Sequence, residues 1–313
     1  MAHIQLKNIS KTFGNHTALT GLDLDIADGE FFVLLGETGA GKTTTLRLIA
    51  GLEKPSEGQV FIDGVDVADW GAAERDVALV LQQYSLYPRY TVRENLEFPL
   101  KPKIRRLPDA EIKDRVDRAA RTLRIEHLLD RKTDRLSGGE MQRVSIGRAI
   151  VRKPRVFLMD EPLSALDAKL REALRTELKN LQMQLGATFL FVTHDQIEAM
   201  SMGDKVGVLN HGRIVQTGTP HEIYNNPRDT YVASFVGSPP MNLIDGKLVN
   251  GRAVMAPLNF ELPFSGGAKA GGATDGRPLV FGIRPEDVYL ESGAPVEAHV
   301  HDVENHGVEK ILT

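Results

Sequence analysis

The stretch "EFFVLLGETGAGKTTTLRLIAG", Glu30 to Gly51, decides the fold class of this chain. Its apolar run "FFVLL" predicts a buried strand, and "KTTTLRLIA" predicts a helix that ends at Gly51. Between them "GETGAGKT", Gly36 to Thr43, fits the pattern G-x-x-x-x-G-K-[ST]. A strand, a glycine loop and a helix in this order predict a phosphate-binding loop in an α/β fold.

The residue types of this loop suit a polyphosphate. Glycines let successive backbone N–H groups point into one concavity, and the positive end of the helix dipole adds to their effect. Lys42 can reach the β and γ phosphates, and the Thr43 hydroxyl can hold Mg²⁺. The flanking strand and helix disfavour a chance glycine turn. The predicted nucleotide-binding residues are Gly36, Glu37, Thr38, Gly39, Ala40, Gly41, Lys42, Thr43 and Thr44.

Two adjacent acids end a second apolar run, "VFLMDE". This run predicts a buried parallel strand, and such strands place ligand sites at their carboxyl ends. Asp160 can hold Mg²⁺ there, directly or through water, and Glu161 can orient or deprotonate an attacking water. The structural alternative is that one of the two acids caps the following helix. The neighbouring phosphate loop favours the functional interpretation.

Composition excludes several other classes of protein. The net charge of the 313 residues is −4, which disfavours a nucleic-acid binder. The absence of cysteine excludes disulfides, thiolate nucleophiles and cysteine-bound metals. The N-terminal "MAHIQLKNIS" lacks the apolar region of a signal peptide, and no apolar run approaches the ~18 residues that span a bilayer. Any membrane-spanning part must therefore belong to another chain.

The pattern changes twice along the chain. Short alternating strands are predicted over residues 1–35 and 56–83, and a helical subdomain over about 89–150. These changes predict one large α/β domain at 1–235 that contains the phosphate loop. After residue 236 glycine and proline increase, as in "FSGGAKAGGATDG", and a smaller β domain is predicted at 236–313.

Six motifs occur in the order typical of the ATP-binding cassette of ABC transporters, which residues 3–235 resemble. They are the Walker A loop "GETGAGKT", the Q-loop glutamine Gln82, the signature "LSGGEMQR", the Walker B strand "VFLMDE", the D-loop "SALD" and the switch histidine His194. The resemblance implies an ATPase that binds ATP and Mg²⁺. It implies a nucleotide-binding domain at 1–235 with a P-loop NTPase (RecA-like) core, an antiparallel β subdomain and a helical subdomain at about 89–150. It also implies a head-to-tail homodimer, in which the signature of one subunit acts on the ATP held by the other.

The resemblance assigns roles to individual residues. The expected catalytic residues are Glu161, His194 and Gln82, and the expected metal ligands are Thr43, Gln82 and Asp160. Phe13 lies where the family stacks an aromatic ring on adenine, and Asp167 belongs to the D-loop. The residues expected to act on the partner's ATP are Ser137, Gly138, Gly139 and Glu140. Glu140 departs from the family's usual glutamine: it can accept from ribose hydroxyls but not donate to them, and it brings a carboxylate close to phosphate.

Three functional classes are compatible with a P-loop ATPase: a transporter subunit, a soluble ABC protein of translation or DNA repair, and an unrelated P-loop kinase. Translation proteins usually carry two cassettes, and repair proteins insert long coiled coils, whereas Thr43 and Ser137 are 94 residues apart here (137 − 43). A kinase needs no signature. An apolar set after the Q-loop favours transport, because the family binds a coupling helix of the membrane subunit there; the alternative is that these side chains pack internally. The set is Tyr84, Leu86, Tyr87 and Pro88.

The C-terminal region narrows the family further. "FVGSPPMNLIDGKL" and "VFGIRPEDVYL" resemble the OB-like regulatory region of carbohydrate importers of the maltose and glycerol-phosphate type. The chain stops at Thr313, where the family continues, so we expect an incomplete barrel. The resemblance implies the ATPase subunit of a bacterial importer for a sugar-like solute, peripheral on the cytoplasmic face of the inner membrane. Its implied partners are two permease subunits and, indirectly, a solute-binding protein, but no nucleic acid; the alternative is a soluble ABC ATPase without transport.

Overall fold

The computed structural model describes most of the chain, and the chain divides into two compact units, residues 1–221 and 222–313. The described residues are 2–102, 107–164, 166–250, 252–255, 260–263, 276–291, 293–294, 296, 299–305 and 310–312. Most of the predicted glycine-rich stretch, residues 264–275, lies outside them. The predicted domain boundary at residue 235 falls within the second unit and stays a prediction.

The first unit is built around a six-stranded sheet with the order β10-β9-β3-β8-β7-β6. A second sheet, with the order β2-β1-β4-β5, is antiparallel. The strands of these two sheets are β1 (Ile4–Phe13), β2 (His16–Ile26), β3 (Phe31–Leu35), β4 (Glu57–Ile62), β5 (Val65–Asp66), β6 (Val77–Val80), β7 (Val156–Asp160), β8 (Thr188–Thr193), β9 (Lys205–Asn210) and β10 (Arg213–Gly218). The predicted antiparallel β subdomain is therefore confirmed.

The helices follow the sheet strands in an α/β pattern. They are α1 (Lys42–Ala50), α2 (Val92–Glu97), α3 (Asp109–Thr122), α4 (Gly138–Ile150), α5 (Ala168–Leu185), α6 (Gln196–Met202), α7 (Pro220–Asn225) and α8 (Thr230–Phe235). The helix α1 ends at Gly51, whose φ of 72° permits the left-handed turn, as the sequence predicts. The helices α2, α3 and α4 form the helical part of the unit.

Strands β3, β7 and β8 form the centre of the core because every residue in them is buried. Stacked rings join them: the centroids of Phe31 and Phe189 are 5.3 Å apart, and those of Phe157 and Phe189 are 4.6 Å apart. The three strands are parallel neighbours, in which Leu35 pairs with Thr193 and Asp160 with Val192. Their carboxyl ends therefore meet at one edge of the sheet, where the phosphate loop, the acid pair and His194 follow.

The second unit is rich in β-structure, as the sequence predicts. Its four-stranded sheet is antiparallel, with the order β13-β12-β11-β14. The strands of this unit are β11 (Asn242–Val249), β12 (Arg252–Met255), β13 (Phe260–Pro263), β14 (Pro278–Ile283), β15 (Val303–Asn305) and β16 (Lys310–Leu312). Buried Arg284 donates to the carbonyls of Ala233, Val236 and Tyr224, and its guanidinium lies 4.0 Å from the centroid of the Tyr224 ring. These contacts hold the end of α8 against the end of β14.

Candidate nucleotide-binding site

The phosphate loop between β3 and α1 requires glycine at two close approaches. A Cβ on Gly41 would lie 2.6 Å from Leu19 Cδ2 and 2.8 Å from the Ala18 carbonyl oxygen. A Cβ on Gly36 would lie 2.4 Å from the carbonyl oxygen of Leu209. Gly41 also has a φ of 111°, a backbone conformation that residues with a side chain rarely adopt. The loop is thus curled tightly at the start of α1, the arrangement in which backbone N–H groups can surround an anion.

The Lys42 ammonium lies inside the phosphate loop. Its side chain is only 5% exposed, and Nζ donates to the carbonyls of Gly36 (2.9 Å) and Glu37 (3.0 Å). It also lies 3.2 Å from Oε1 of Glu161. The positive charge is therefore positioned by the loop itself and is paired with the second acid of the Walker B strand.

Thr43 and Asp160 bring two oxygen atoms together from different elements. The Thr43 hydroxyl donates to Asp160 Oδ1 at 3.0 Å, and Asp160 is 8% exposed. Burial raises the pKa of Asp160, and the nearby charge of Glu161 raises it further, while the Thr43 hydrogen bond opposes both. A hydroxyl and a carboxylate oxygen are hard donors of the kind that Mg²⁺ prefers, so these residues fit the predicted metal site.

Glu161 connects three motifs. Its backbone N–H donates to the Val192 carbonyl (3.1 Å), and its own φ is 43°, in the left-handed region. One carboxylate oxygen contacts Lys42, and the other lies 3.1 Å from Nδ1 of His194. The carboxylate is 17% exposed and His194 is 52% exposed, so the pair lies at the open side of the site. A base placed here can reach both solvent and the phosphate loop.

The Q-loop and D-loop residues surround this centre. Gln82 donates through Nε2 to the Ser164 hydroxyl at 3.3 Å, and Ser164 donates to the carbonyl of Glu161 at 2.9 Å. Asp167 caps α5 by accepting from the N–H of Leu170 at 3.0 Å. The alternative that Asp160 or Glu161 caps the next helix is therefore wrong, because Asp167 occupies that position.

The signature turn has its own closed set of hydrogen bonds. Ser137 caps α4, and Glu140 Oε2 accepts from the Ser137 N–H (2.7 Å) and hydroxyl (2.9 Å). These bonds, chiefly the backbone one, lower the pKa of Glu140, and Arg131 at 3.8 Å adds to the effect. Within the described residues, no hydrogen bond or ion pair joins Ser137 or Glu140 to the Walker motifs. The structure thus gives Glu140 a local role, a capping box, which its S-x-x-E spacing could have indicated.

Two further groups of side chains belong to this region: Phe13, which is expected to stack on adenine, and the pair Arg171 and Glu198. Phe13 is 43% exposed near the β1–β2 turn, with Lys11 Nζ 4.7 Å from its ring centroid, so adenine stacking by Phe13 stays a prediction. Sequence analysis missed Arg171 and Glu198. Arg171 contacts residues that flank Asp167 and His194, and Glu198 is buried beside Thr193.

A cavity of about 220 Å³ lies beside the Q-loop. Tyr84 and Tyr87 of the predicted docking set line it, whereas Leu86 and Pro88 are not among its described lining residues. The Tyr87 ring lies 4.4 Å from that of Phe98 and 4.8 Å from the Arg148 guanidinium. The residues that line the cavity are Ala78, Leu79, Leu81, Tyr84, Ser85, Tyr87, Phe98, Pro99, Ser145, Arg148, Ala149 and Arg152.

This combination of sheets, loop and signature helix defines an ATPase of the ATP-binding cassette class. The chain matches the ABC transporter family over residues 19–164 and the MalK OB fold domain over residues 237–288. A solved structure of the cassette MJ0796 in a dimeric post-hydrolysis state, bound to ADP and Pi, is 34% identical with a TM-score of 0.63. It covers 69% of this chain, and the match covers 98% of that one.

Among ATP-binding cassette proteins, the chain is similar to ATP-binding proteins of importers. The trehalose/maltose import ATP-binding protein MalK of Thermococcus litoralis is 48% identical over 100% of this chain and 88% of its own length. The sn-glycerol-3-phosphate import ATP-binding protein UgpC of Bordetella avium is 46% identical over 100% of this chain and 85% of its own length. The chain belongs to the family of ABC transporter ATP-binding proteins that carry a MalK-type OB domain. None of the helices in the described part of the chain is long and apolar enough to cross a membrane.

Proposed function

We propose that this chain is the ATP-hydrolysing subunit of a bacterial importer for a sugar or a sugar-like solute. It would act as a head-to-tail homodimer, peripheral on the cytoplasmic face of the inner membrane, with two permease subunits and, indirectly, a solute-binding protein. The relatives named above import trehalose or maltose and sn-glycerol 3-phosphate, and a xylose/arabinose import protein of Haloferax volcanii is 44% identical. Each of these solutes carries two or more free hydroxyl groups, which supports the proposed solute class. A soluble ATPase without transport is not favoured.

The observation that carries the chemistry is the Lys42–Glu161–His194 arrangement. The Lys42 ammonium is buried in the phosphate loop, which supports its proposed role in binding the β and γ phosphates of ATP. Glu161 would accept the proton of an attacking water at its carboxylate, and His194 orients that carboxylate through Nδ1. Thr43 and Asp160, with Gln82, would hold Mg²⁺, which when bound neutralises charge on the phosphate oxygens.

The signature supports a second copy of the chain as partner. Ser137 and the N-terminus of α4 offer a hydroxyl and backbone N–H groups, which stabilise an anion. These groups have no described bond to the Walker residues of the same chain. The composite site would therefore join the Walker motifs of one subunit to the signature of the other.

Mixed dimers test this arrangement. One chain carries Lys42→Ala with an intact signature, and the other carries Ser137→Arg with an intact Walker A loop. Each homodimer should be inactive, because both of its sites lack one half. In the mixed dimer both lesions fall in one composite site, so the other site is intact.

We expect mixing to restore ATPase activity, or occlusion of one ATP per dimer if hydrolysis needs two sites. Affinity tags confirm that mixed dimers form. Restoration of neither activity nor occlusion would show that the signature acts within its own chain, and would refute the head-to-tail dimer.

The cavity beside the Q-loop is the proposed contact with the permease. Its aromatic lining suits an apolar helix, and Phe98 is 41% exposed at its edge. Phe98→Asp should abolish co-purification with the permease subunits while ATP-dependent dimerisation of the isolated chain persists. Normal co-purification of the variant would contradict this docking site.

A further inference from the structure

We infer that Arg171 is a positioning residue, which holds the D-loop and the turn carrying His194 in one fixed arrangement. It would act on hydrolysis through His194 and would not touch ATP. The inference rests on the proposed role of His194. It concerns contacts within one subunit, so it does not depend on the mixed-dimer experiment.

The guanidinium of Arg171 bridges two loops of the site. Nη2 donates to the carbonyl of Leu166 at 3.1 Å, and Nη1 donates to Asp195 Oδ2 at 3.2 Å. Leu166 directly precedes Asp167 in the D-loop, and Asp195 directly follows His194. Because a guanidinium is planar and presents its donors in a rigid fork, these two bonds fix the distance between the loops.

The turn around His194 is held by side chains on both sides. The Thr193 hydroxyl donates to Glu198 Oε2 (2.5 Å) and accepts from the Asp195 N–H (2.9 Å). Asp195 also caps α6, through the N–H groups of Ile197 and Glu198. Thr193 and Glu198 are each 2% exposed. The residues on either side of His194 are therefore bonded into the core, while the imidazole itself is half exposed.

Arg171 also interacts electrostatically with Glu198, the buried acid of this network. Its Nε is buried without a hydrogen-bond partner among the described residues, and lies 4.0 Å from Glu198 Oε1. The same guanidinium thus bonds to the carboxylate of Asp195 and to one D-loop carbonyl, and it lies within ion-pair distance of Glu198, which also follows His194. A displacement of the D-loop on dimer closure would be transmitted through Arg171 to the residue after His194.

A double-mutant cycle separates this role from a purely structural one. Arg171→Ala should lower kcat for ATP by about tenfold while KM changes less than about twofold, because small misplacements near the reacting groups are costly. In the His194→Ala background, Arg171→Ala should have no further effect on the residual kcat, because its influence passes through the imidazole. Arg171→Lys should recover thermal stability but not kcat, since an ammonium cannot reproduce the fork.

Lys179→Ala is the matched control, because Lys179 also extends from α5 and its Nζ lies 2.6 Å from Asp204 Oδ1. No hydrogen bond or ion pair joins Lys179 to the described residues of either loop. This variant should keep the wild-type kcat. A measurement without turnover supports the cycle: the His194 ring resonances of the nucleotide-free protein should shift in Arg171→Ala and not in Lys179→Ala.

Three results would overturn the inference. The effects of Arg171→Ala and His194→Ala on kcat could multiply, kcat could be unchanged in Arg171→Ala, or the His194 resonances could stay unshifted in that variant. Full activity of His194→Ala would instead remove the proposed role of His194, and the inference with it.

Discussion

Glu161→Gln should slow hydrolysis and at the same time strengthen ATP binding. The Glu161 carboxylate lies 3.2 Å from Lys42 Nζ, the cation that the phosphates would require. The carboxylate and the triphosphate therefore compete for one ammonium. Removing the negative charge frees Lys42 for ATP, but it also removes the group that would accept the proton of the attacking water.

The size of the effect follows from this one contact. A hydrogen bond between charged groups stabilises by about 1.5–3 kcal/mol, and a neutral one, which glutamine retains, by about 1 kcal/mol. The difference, roughly 0.5–2 kcal/mol, corresponds to ATP binding that is about 2–30-fold tighter. The unfolding free energy without nucleotide should fall by a similar amount. Turnover should fall by about 10²–10⁴-fold, the usual contribution of a general base.

Calorimetric titration with ATP, urea unfolding and phosphate release measure the three quantities. Glu30→Gln is the control, because Glu30 is also mostly buried and its Oε1 lies 3.0 Å from Lys205 Nζ, in an ion pair outside the site. Its lysine is 45% exposed, so this variant should lose no more stability than Glu161→Gln, while ATP affinity and turnover stay unchanged. Equal ATP affinity in wild type and Glu161→Gln would refute the competition, and turnover within severalfold of wild type would refute the general base.

Two further predictions concern buried groups of the site. Asp160→Asn should raise the stability of the nucleotide-free protein at neutral pH, because burial raises the pKa of Asp160 and its charged form is costly there. The gain should shrink as pH falls through the raised folded pKa and vanish below the unfolded value near 3.9, which thermal unfolding across pH can follow; a gain that is constant with pH would contradict it. Gly139→Ala should destabilise by about 1–3 kcal/mol, because its Cβ would lie 2.1 Å from Leu170 Cδ2. Adding Leu170→Ala should recover part of that loss in urea unfolding, and a Gly139→Ala variant as stable as wild type would argue against the close packing.

The individual motifs of this site can be predicted from the sequence, whereas the contacts that bring them together cannot. The strand before Gly36 and the run that ends at Asp160 are recognisable because each is continuously apolar and followed by chemically distinctive residues. The capping box of Ser137 and Glu140 can also be predicted, from the three-residue spacing between the two side chains. The contacts of Arg171 cannot be predicted in this way. They join α5 to a loop 24 residues away, and the local sequence around an arginine on a helix does not indicate which distant residue it will contact.

The sheet order cannot be predicted from local patterns, and it has a consequence for synthesis of the chain. The strand β8 lies between β3 and β7, although it is translated after both. Leu35 leaves the ribosome 153 residues before Thr188 (188 − 35), which is roughly 8–30 s at about 5–20 residues per second. The apolar strand β3 lacks its neighbour β8 throughout that interval, and β7 lacks it once residue 160 has been made. The nascent chain should therefore be most prone to aggregation and most dependent on chaperones just before β8 emerges.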